Sequence, residues 1–150
     1  MINRKLFIIL IFLLISNCGY EPLISKKTNF SLKLIELSGD TKINYIIKNR
    51  LKIFEDKNNN YILEIVDSNV NKIVASMDTK GNPKTFRMTI NLAINLKKKS
   101  DLTAEVKKFT ATTNYNTISS KFNLKKYEEN ITENLTEKIL DELILYIQTQ

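Results

Sequence analysis

The chain has 150 residues, a formal net charge of +7 at pH 7, a single cysteine and no histidine. The missing histidine excludes His-based catalytic triads, imidazole metal ligands and the usual general base at neutral pH. One cysteine cannot form an intramolecular disulfide, and the length suits one domain with one hydrophobic core. We therefore expect a small basic protein that is not an enzyme.

The first seventeen residues have the organisation of a secretory signal peptide. Arg4 and Lys5 provide a short cationic start, and ten apolar residues without a charge follow from Leu6 to Ile15. A helix needs about 20 apolar residues to span the hydrocarbon core of a bilayer, so a spanning anchor is disfavoured. Loss of Arg4 and Lys5 would leave 21 of the 23 basic side chains against 16 acidic ones, an excess that suits an anionic partner.

The apolar run ends in a sequence that resembles the bacterial lipobox, Ile15-Ser16-Asn17-Cys18-Gly19. In a lipobox, a signal peptidase cuts before a cysteine that carries a diacylglyceryl thioether. Asn17 departs from the Gly or Ala that usually precedes this cysteine. A buried or disulfide-bonded Cys18 is the alternative, but an unpaired thiol is unusual in an exported protein. We predict a signal peptide over residues 1–17, a mature domain over 18–150, and diacylglycerol and N-acyl lipid on Cys18 with no other cofactor.

The mature chain is predicted to start with a strand and a helix. Apolar residues alternate between Phe30 and Leu37 and end in a turn at residues 38–40, which is typical of a strand. Asp40 is placed to cap a helix, in which apolar residues recur at spacings of three and four up to Phe54. This spacing predicts an amphipathic helix of about four turns.

Three strands and a second helix are predicted to follow. Residues 61–66 favour a second strand that resumes over 70–75. From Thr85 to Leu96 apolar and polar residues alternate, which indicates a long third strand with one dry face. A fourth strand is predicted at about 102–115, and an apolar stripe from Leu124 to Ile147 predicts a long helix after a polar, irregular segment. The order β-α-β-β-β-α predicts an α+β fold, a two-layer sandwich with two helices on one face of a four-stranded sheet.

Two short patterns imitate known sites. Residues 56–60 have the spacing of a calcium loop, but Tyr61 stands where that loop requires glycine. Asn130 and Asn134 each begin a glycosylation pattern, but both lie within the predicted last helix. We interpret both patterns as solvated polar positions and predict no metal site.

Lysines are predicted to gather at both ends of the sheet. Strands two, three and four form consecutive antiparallel hairpins, so the turn at residues 80–84 and the exit of strand four near Lys121 fall at one end. Residues 97–99, all lysine, fall at the other. A lysine near an anionic surface contributes about 1 kcal/mol, so several together would bind such a surface. Solvated surface charge is the alternative for any single lysine.

The chain resembles the lipopolysaccharide (LPS)-assembly lipoprotein family over nearly all of its mature length. The resemblance rests on the lipobox, on Cys-Gly-aromatic-x-Pro-Leu at residues 18–23, on the long third strand and on residues 109–122. It implies a lipoprotein that plugs and helps to assemble the large β-barrel protein of the LPS translocon and contacts LPS through basic side chains. Carried onto this chain, the basic side chains are Lys80, Lys84, Arg87 and Lys121.

Two functions stay open at this point. The first is a component of the LPS translocon, lipid-anchored on the periplasmic side of the outer membrane, with the β-barrel protein and LPS as partners. The second is a freestanding envelope lipoprotein that binds or carries a lipid in its own apolar cavity. Export removes nucleic acid from the expected partners.

Overall fold

The computed structural model describes residues 30–150, so that Cys18 and the predicted signal peptide lie outside the described residues. Strands and helices alternate along this part of the chain in the predicted order. They are β1 (Leu32–Leu37), α1 (Thr41–Leu51) with a 3-10 turn (Lys52–Phe54), β2 (Tyr61–Met77), β3 (Pro83–Lys98), β4 (Glu105–Asn116) and α2 (Lys121–Gln148).

The four strands form one mixed sheet in the order β1-β2-β3-β4. β1 is parallel to β2, as a helical crossover through α1 requires, whereas β2, β3 and β4 are joined as antiparallel hairpins. β3 is therefore a central strand with a partner on both sides. Two helices cover one face of this sheet, which confirms the predicted two-layer α+β sandwich.

The alternation in β3 divides the sheet into a dry face and an open face. Every second side chain from Met88 to Leu96 is at most 4% exposed. These side chains share one core with α2, in which every fourth residue from Ile131 to Ile147 is buried. The positions between them point away from the helices and bond across strands, as Thr89 does with Thr112 at 3.0 Å.

The helix predicted to start after Asp40 is α1. The Asp40 carboxylate accepts hydrogen bonds from the backbone N–H groups of Lys42 at 2.9 Å and Ile43 at 3.0 Å, which confirms the predicted cap. The helix is shorter than predicted, because its last turn up to Phe54 tightens into the 3-10 conformation.

An arginine links the two helices. Arg50 of α1 forms ion pairs with Glu137 at 3.5 Å and Asp141 at 3.9 Å in α2, and nearer the start of both helices the Lys42 ammonium donates to the Glu129 carbonyl at 3.3 Å. These contacts show that α1 and α2 run parallel, side by side, on the dry face.

The second strand differs most from its prediction. β2 is one continuous strand, because a bulge between Ile65 and Asp67 absorbs the break in its alternation. The bulge moves the even-numbered residues after it, from Ser68 to Val74, to the helix side, where they pair with buried-face residues of β3. The polar stretch at residues 67–69 therefore continues the strand.

Two other boundaries were predicted wrongly. β4 begins at Glu105, and Leu102 lies in the preceding loop with its side chain 97% exposed. α2 begins at Lys121 within the segment predicted to be irregular, because the Ser120 side chain accepts a hydrogen bond from the N–H of Asn123 and caps the helix there.

Candidate functional site

One end of the sheet collects the four basic residues that the resemblance singles out. The β2–β3 turn at residues 78–82, the end of β4 and the start of α2 meet at this end, where the Thr117 N–H donates to the Lys84 carbonyl at 3.0 Å. We term it the basic end and define it by Lys80, Lys84, Arg87 and Lys121. Their contact with LPS stays a prediction.

The four side chains do not converge on one face. Arg87 lies on the open face, where its Nε donates to the Asn114 side-chain oxygen at 3.1 Å. Lys121 begins α2 on the opposite, helix-covered side, and Lys80 lies in the turn between the two faces. None of the four forms an ion pair with another residue of the described range 30–150. The positive charges therefore surround the end of the sheet and do not form a pocket.

Asp78 holds the turn that carries Lys80. Its carboxylate accepts hydrogen bonds at 2.8 Å from the N–H groups of Lys80 and Asn82, and at 3.1 Å from the Asn82 side-chain amide. The hydrogen bond from the Asn82 backbone is the main reason why the pKa of Asp78 lies below its ordinary value. The carboxylate that orders this turn thus stays charged well into the acid range.

A network of side chains that local sequence patterns do not reveal lies next to the basic end, on the helix-covered side of the sheet. The Lys72 ammonium is 2.5 Å from a carboxylate oxygen of Glu128 in α2 and 4.3 Å from the ring centre of Phe86. The same carboxylate oxygen accepts a hydrogen bond from the Tyr115 hydroxyl at 2.7 Å. Burial, followed by the bond and charge of Glu128, raises the pKa of Tyr115. The network ties α2 to β2 and β4.

Exposed apolar side chains border the basic end. Phe122, in the first turn of α2, is 76% exposed, and Met77 at the end of β2 is also exposed. Ile118, Val74 and Tyr127 add further exposed apolar surface near the same end. Periodicity marks apolar residues that share a buried stripe, so it could not identify Phe122, Met77 or Ile118. It placed Tyr127 in the stripe of α2, where the side chain is instead 42% exposed. Ammonium groups beside apolar side chains provide the two kinds of contact that an anionic amphiphile needs.

Replacing Glu128 with alanine should lower the free energy of unfolding by about 1–3 kcal/mol, because the Tyr115 hydroxyl would lose its acceptor on a side chain only 4% exposed. Urea denaturation of the purified domain measures this loss. Glu129→Ala is the matched control, since the Glu129 carboxylate makes no ion pair or hydrogen bond within residues 30–150. Equal destabilisation by both substitutions would contradict the assigned role of the network.

At the opposite end of the sheet, the ammonium group of Lys98 has a structural partner. The Lys98 ammonium donates to the carbonyl of Gln150 at 3.3 Å, just beyond the C-terminus of α2, where positive charge is favourable. Part of this positive charge therefore serves the fold, and the basic end is the better candidate for an external ligand.

No convergent set of three or more Asp, Glu, His or Cys side chains occurs in the part of the chain that the structure describes. In the segment with calcium-like spacing, the Asp56 carboxylate accepts a hydrogen bond from the Asn58 N–H at 3.1 Å, which is the geometry of an ordinary polar turn. Across residues 30–150, neither helix combines the length and apolar character that crossing a bilayer demands.

Solved structures share this fold. Rare lipoprotein B from Shewanella oneidensis matches with a TM-score of 0.62 and 10% sequence identity, over 78% of this chain and 95% of that chain. Lipoprotein B from Nitrosomonas europaea matches with a TM-score of 0.56 and 12% identity, over 77% of this chain and 80% of that one. No protein-family model and no curated protein sequence matches this chain. At these identities the likeness shows the fold, which is one that bacterial lipoproteins adopt.

Proposed function

We propose that this protein is an outer-membrane lipoprotein, anchored through Cys18 on the periplasmic side, that plugs and helps to assemble the β-barrel protein of the LPS translocon and contacts LPS. The observation that carries the proposal is the basic end, where ammonium groups stand beside exposed apolar side chains. A lipobox-like sequence, a fold found in bacterial lipoproteins and the resemblance of the chain to LPS-assembly lipoproteins support the same function.

The chemistry of the basic end matches an anionic glycolipid. Three of its four defining residues are lysines, which meet phosphate groups as point charges, while Arg87 offers a guanidinium from the open face. Phe122 and Met77 provide apolar surface for acyl chains. Because the charges surround the end of the sheet, they fit a ligand that passes over this end better than a small anion held in a pocket.

A freestanding lipid carrier fits the structure less well. Such a protein would need an apolar cavity between the sheet and the helices, whereas side chains there, such as Ile94, Leu140 and Leu143, are fully buried in one packed core. A depression of about 580 Å³ lies on the surface beside β1 and is lined by charged residues such as Lys33 and Asp56 together with Leu32 and Leu34. A surface that binds a partner and LPS is therefore favoured over a lipid-filled interior.

The proposed partnership is tested by purification from outer membranes in mild detergent. The full-length chain with a C-terminal tag should co-purify with the β-barrel protein of the LPS translocon, identified by mass spectrometry. Recovery of the tagged protein alone, under conditions that keep other outer-membrane complexes together, would contradict the proposal.

Reversing two charges at the basic end should weaken LPS binding. Lys80→Glu with Lys121→Glu removes two contributions of about 1 kcal/mol each, which corresponds to roughly 30-fold weaker binding. The matched control is Lys97→Glu with Lys99→Glu, which changes the net charge equally at the opposite end of the sheet. Fluorescence titration with LPS measures the affinity, and circular dichroism checks that both variants fold. Equal weakening by the two pairs would show a response to net charge alone and would count against a site at the basic end.

A further inference from the structure

Half of β2 has no neighbour on one side. β1 pairs with β2 only as far as Ile65, and the last backbone contacts on that side are the Ser38 N–H to the Ile65 carbonyl at 2.9 Å and the Asp40 N–H to the Ser68 carbonyl at 2.7 Å. From Asn69 to Met77, β2 pairs with β3 alone. We term residues 69–74, which run without a bulge, the free edge.

The backbone polarity of the free edge follows from these bonds. The Ser68 carbonyl points away from β3 and towards Asp40, and N–H and C=O groups alternate between the two sides of a strand. Val70, Lys72 and Val74 therefore present their N–H and C=O groups outward. Unpaired groups of this kind form a template for another strand, and native proteins usually protect them.

The side chains make the free edge suitable for a strand. Val70 and Val74 are exposed on the helix side with Lys72 between them, and Ile73 is exposed on the open face. The opposite edge of the sheet, β4, differs at the corresponding positions. Its open-face side chains there are Thr110, Thr112 and Asn114, which already bond to side chains of β3, and Lys107 and Lys108 lie near the start of the strand. The free edge thus combines unpaired backbone with exposed apolar side chains, which residues 110–114 of the β4 edge lack.

The geometry points to the free edge as a docking site for an extended strand of the β-barrel partner, an assignment that rests on the proposed function. Addition of this strand would continue the sheet beside β2 through backbone hydrogen bonds. Its side chains opposite Val70 and Val74 are expected to be apolar, and carboxylates are expected towards Lys80 and Lys84, because cross-strand pairs of like character and opposite charge are favourable.

Two other occupants fit less well. A second copy, paired antiparallel about Lys72 so that Val70 faces Val74, would place the two Lys72 side chains opposite each other. Its strand contact of about five residues would also be short for a stable dimer, which needs an interface of roughly 1,200 Å² or more. The chain before Phe30 enters at the other end of the sheet, where Phe30 packs against Phe54, and would have to pass β1 to arrive.

Proline substitution separates backbone pairing from other contacts. Val70→Pro and Val74→Pro each remove an outward N–H that the fold does not use, so the sheet of the free protein should persist. Val70→Ala is the matched control, since it shortens the same side chain and keeps the N–H. Thr112→Pro places the same change on the β4 edge, where the Thr117 N–H to Lys84 bond and the alternation of the strand assign the Thr112 N–H to the outside.

The experiment uses the full-length chain in outer membranes, with the photo-cross-linking residue p-benzoylphenylalanine at Asn71 or Ile73 on the free edge, and at Thr112 or Asn114 on the β4 edge. Cross-links to the β-barrel protein are expected from Asn71 and Ile73. They should be lost with Val70→Pro and Val74→Pro and kept with Val70→Ala and Thr112→Pro. Circular dichroism of each purified variant confirms that it folds. If Val70→Pro does not fold, the comparison uses Val74→Pro in its place.

Three results would overturn the inference. They are equal cross-linking from the β4 edge, cross-links that survive both prolines on the free edge, and cross-links that join two copies of this chain or reach its own residues 18–29. A wild-type chain that co-purifies with the barrel but shows any of these results refutes strand addition alone. A wild-type chain that does not co-purify with the barrel refutes the proposed function itself.

Discussion

Gly39→Ala should lower the free energy of unfolding by roughly 3 kcal/mol, a large loss for a substitution that removes no side-chain atom. Gly39 connects β1 to α1 with a φ of 100°, a conformation that residues with a side chain rarely adopt. A Cβ atom at this position would lie 2.3 Å from both the backbone nitrogen and the backbone oxygen of Ser68. Neither backbone atom can yield without moving β2.

The surroundings of Gly39 explain why the strain would spread. Ser68 donates through its hydroxyl to the Asn44 side-chain oxygen at 2.8 Å, and the Asn44 amide donates to the Ser38 carbonyl at 3.1 Å. These buried polar groups satisfy one another only while the turn stays against β2. Displacing the turn by the clash would thus also break hydrogen bonds at the start of α1.

Gly81→Ala is the matched control for Gly39→Ala. Gly81 has a φ of 81°, but a Cβ there would meet no atom within 4 Å. Only the backbone conformation opposes this substitution, so a loss of about 1 kcal/mol is expected. Urea denaturation of both variants compares the two values, and similar losses would show that the contact with Ser68 is not the cause.

The close approach of Gly39 to Ser68 also determines where the free edge begins. Because Gly39 lets the chain turn away over Ser68, β1 leaves the side of β2 at that point and the rest of the strand is left without a neighbour. The close approach that stabilises the junction of β1 and α1 therefore also creates the free edge.

Periodic segments were predictable from the sequence because the spacing of their apolar residues follows from which side chains are buried. Alternation in β3 and the stripe of α2 each repeat over many residues, so single exceptions do not hide them. β2 has no such pattern, since the bulge after Ile65 exchanges its two faces midway. The sequence therefore predicts a strand, a polar break and a second short strand, whereas the chain forms one continuous strand.

The candidate site was predictable in position and unpredictable in detail for a similar reason. Hairpin connectivity is sufficient to bring Lys80 and Lys121 to the same end of the sheet, whatever the register. The ion pair of Lys72 and Glu128 depends on the bulge and on how α2 packs against β2. The spacing of residues along the chain predicts neither of these. The exposure of Phe122 likewise depends on Ser120 capping the helix earlier than its apolar stripe begins.

Cys18→Ser should release the protein from the outer membrane. If Cys18 carries three acyl chains, each buried CH₂ group contributes about 0.8 kcal/mol, and the chains together hold the protein firmly where a single chain is marginal. Serine cannot form the thioether. Fractionation of cells should therefore remove the variant from the outer-membrane pellet, and its N-terminal mass should lack the lipid.

Asn17→Gly is the control for this change, since it restores the small residue usual before a lipobox cysteine and should leave the protein in the membrane. The Cys18→Ser variant should unfold at the same urea concentration as the wild type and bind LPS with the same affinity in solution, because residues 30–150 contain both the packed core and the basic end. The proposed partnership with the barrel should weaken, because the anchor no longer concentrates the two proteins on one membrane. A variant that stays in the outer-membrane pellet, or wild-type protein with an unmodified N-terminus, would show that Cys18 is not the anchor.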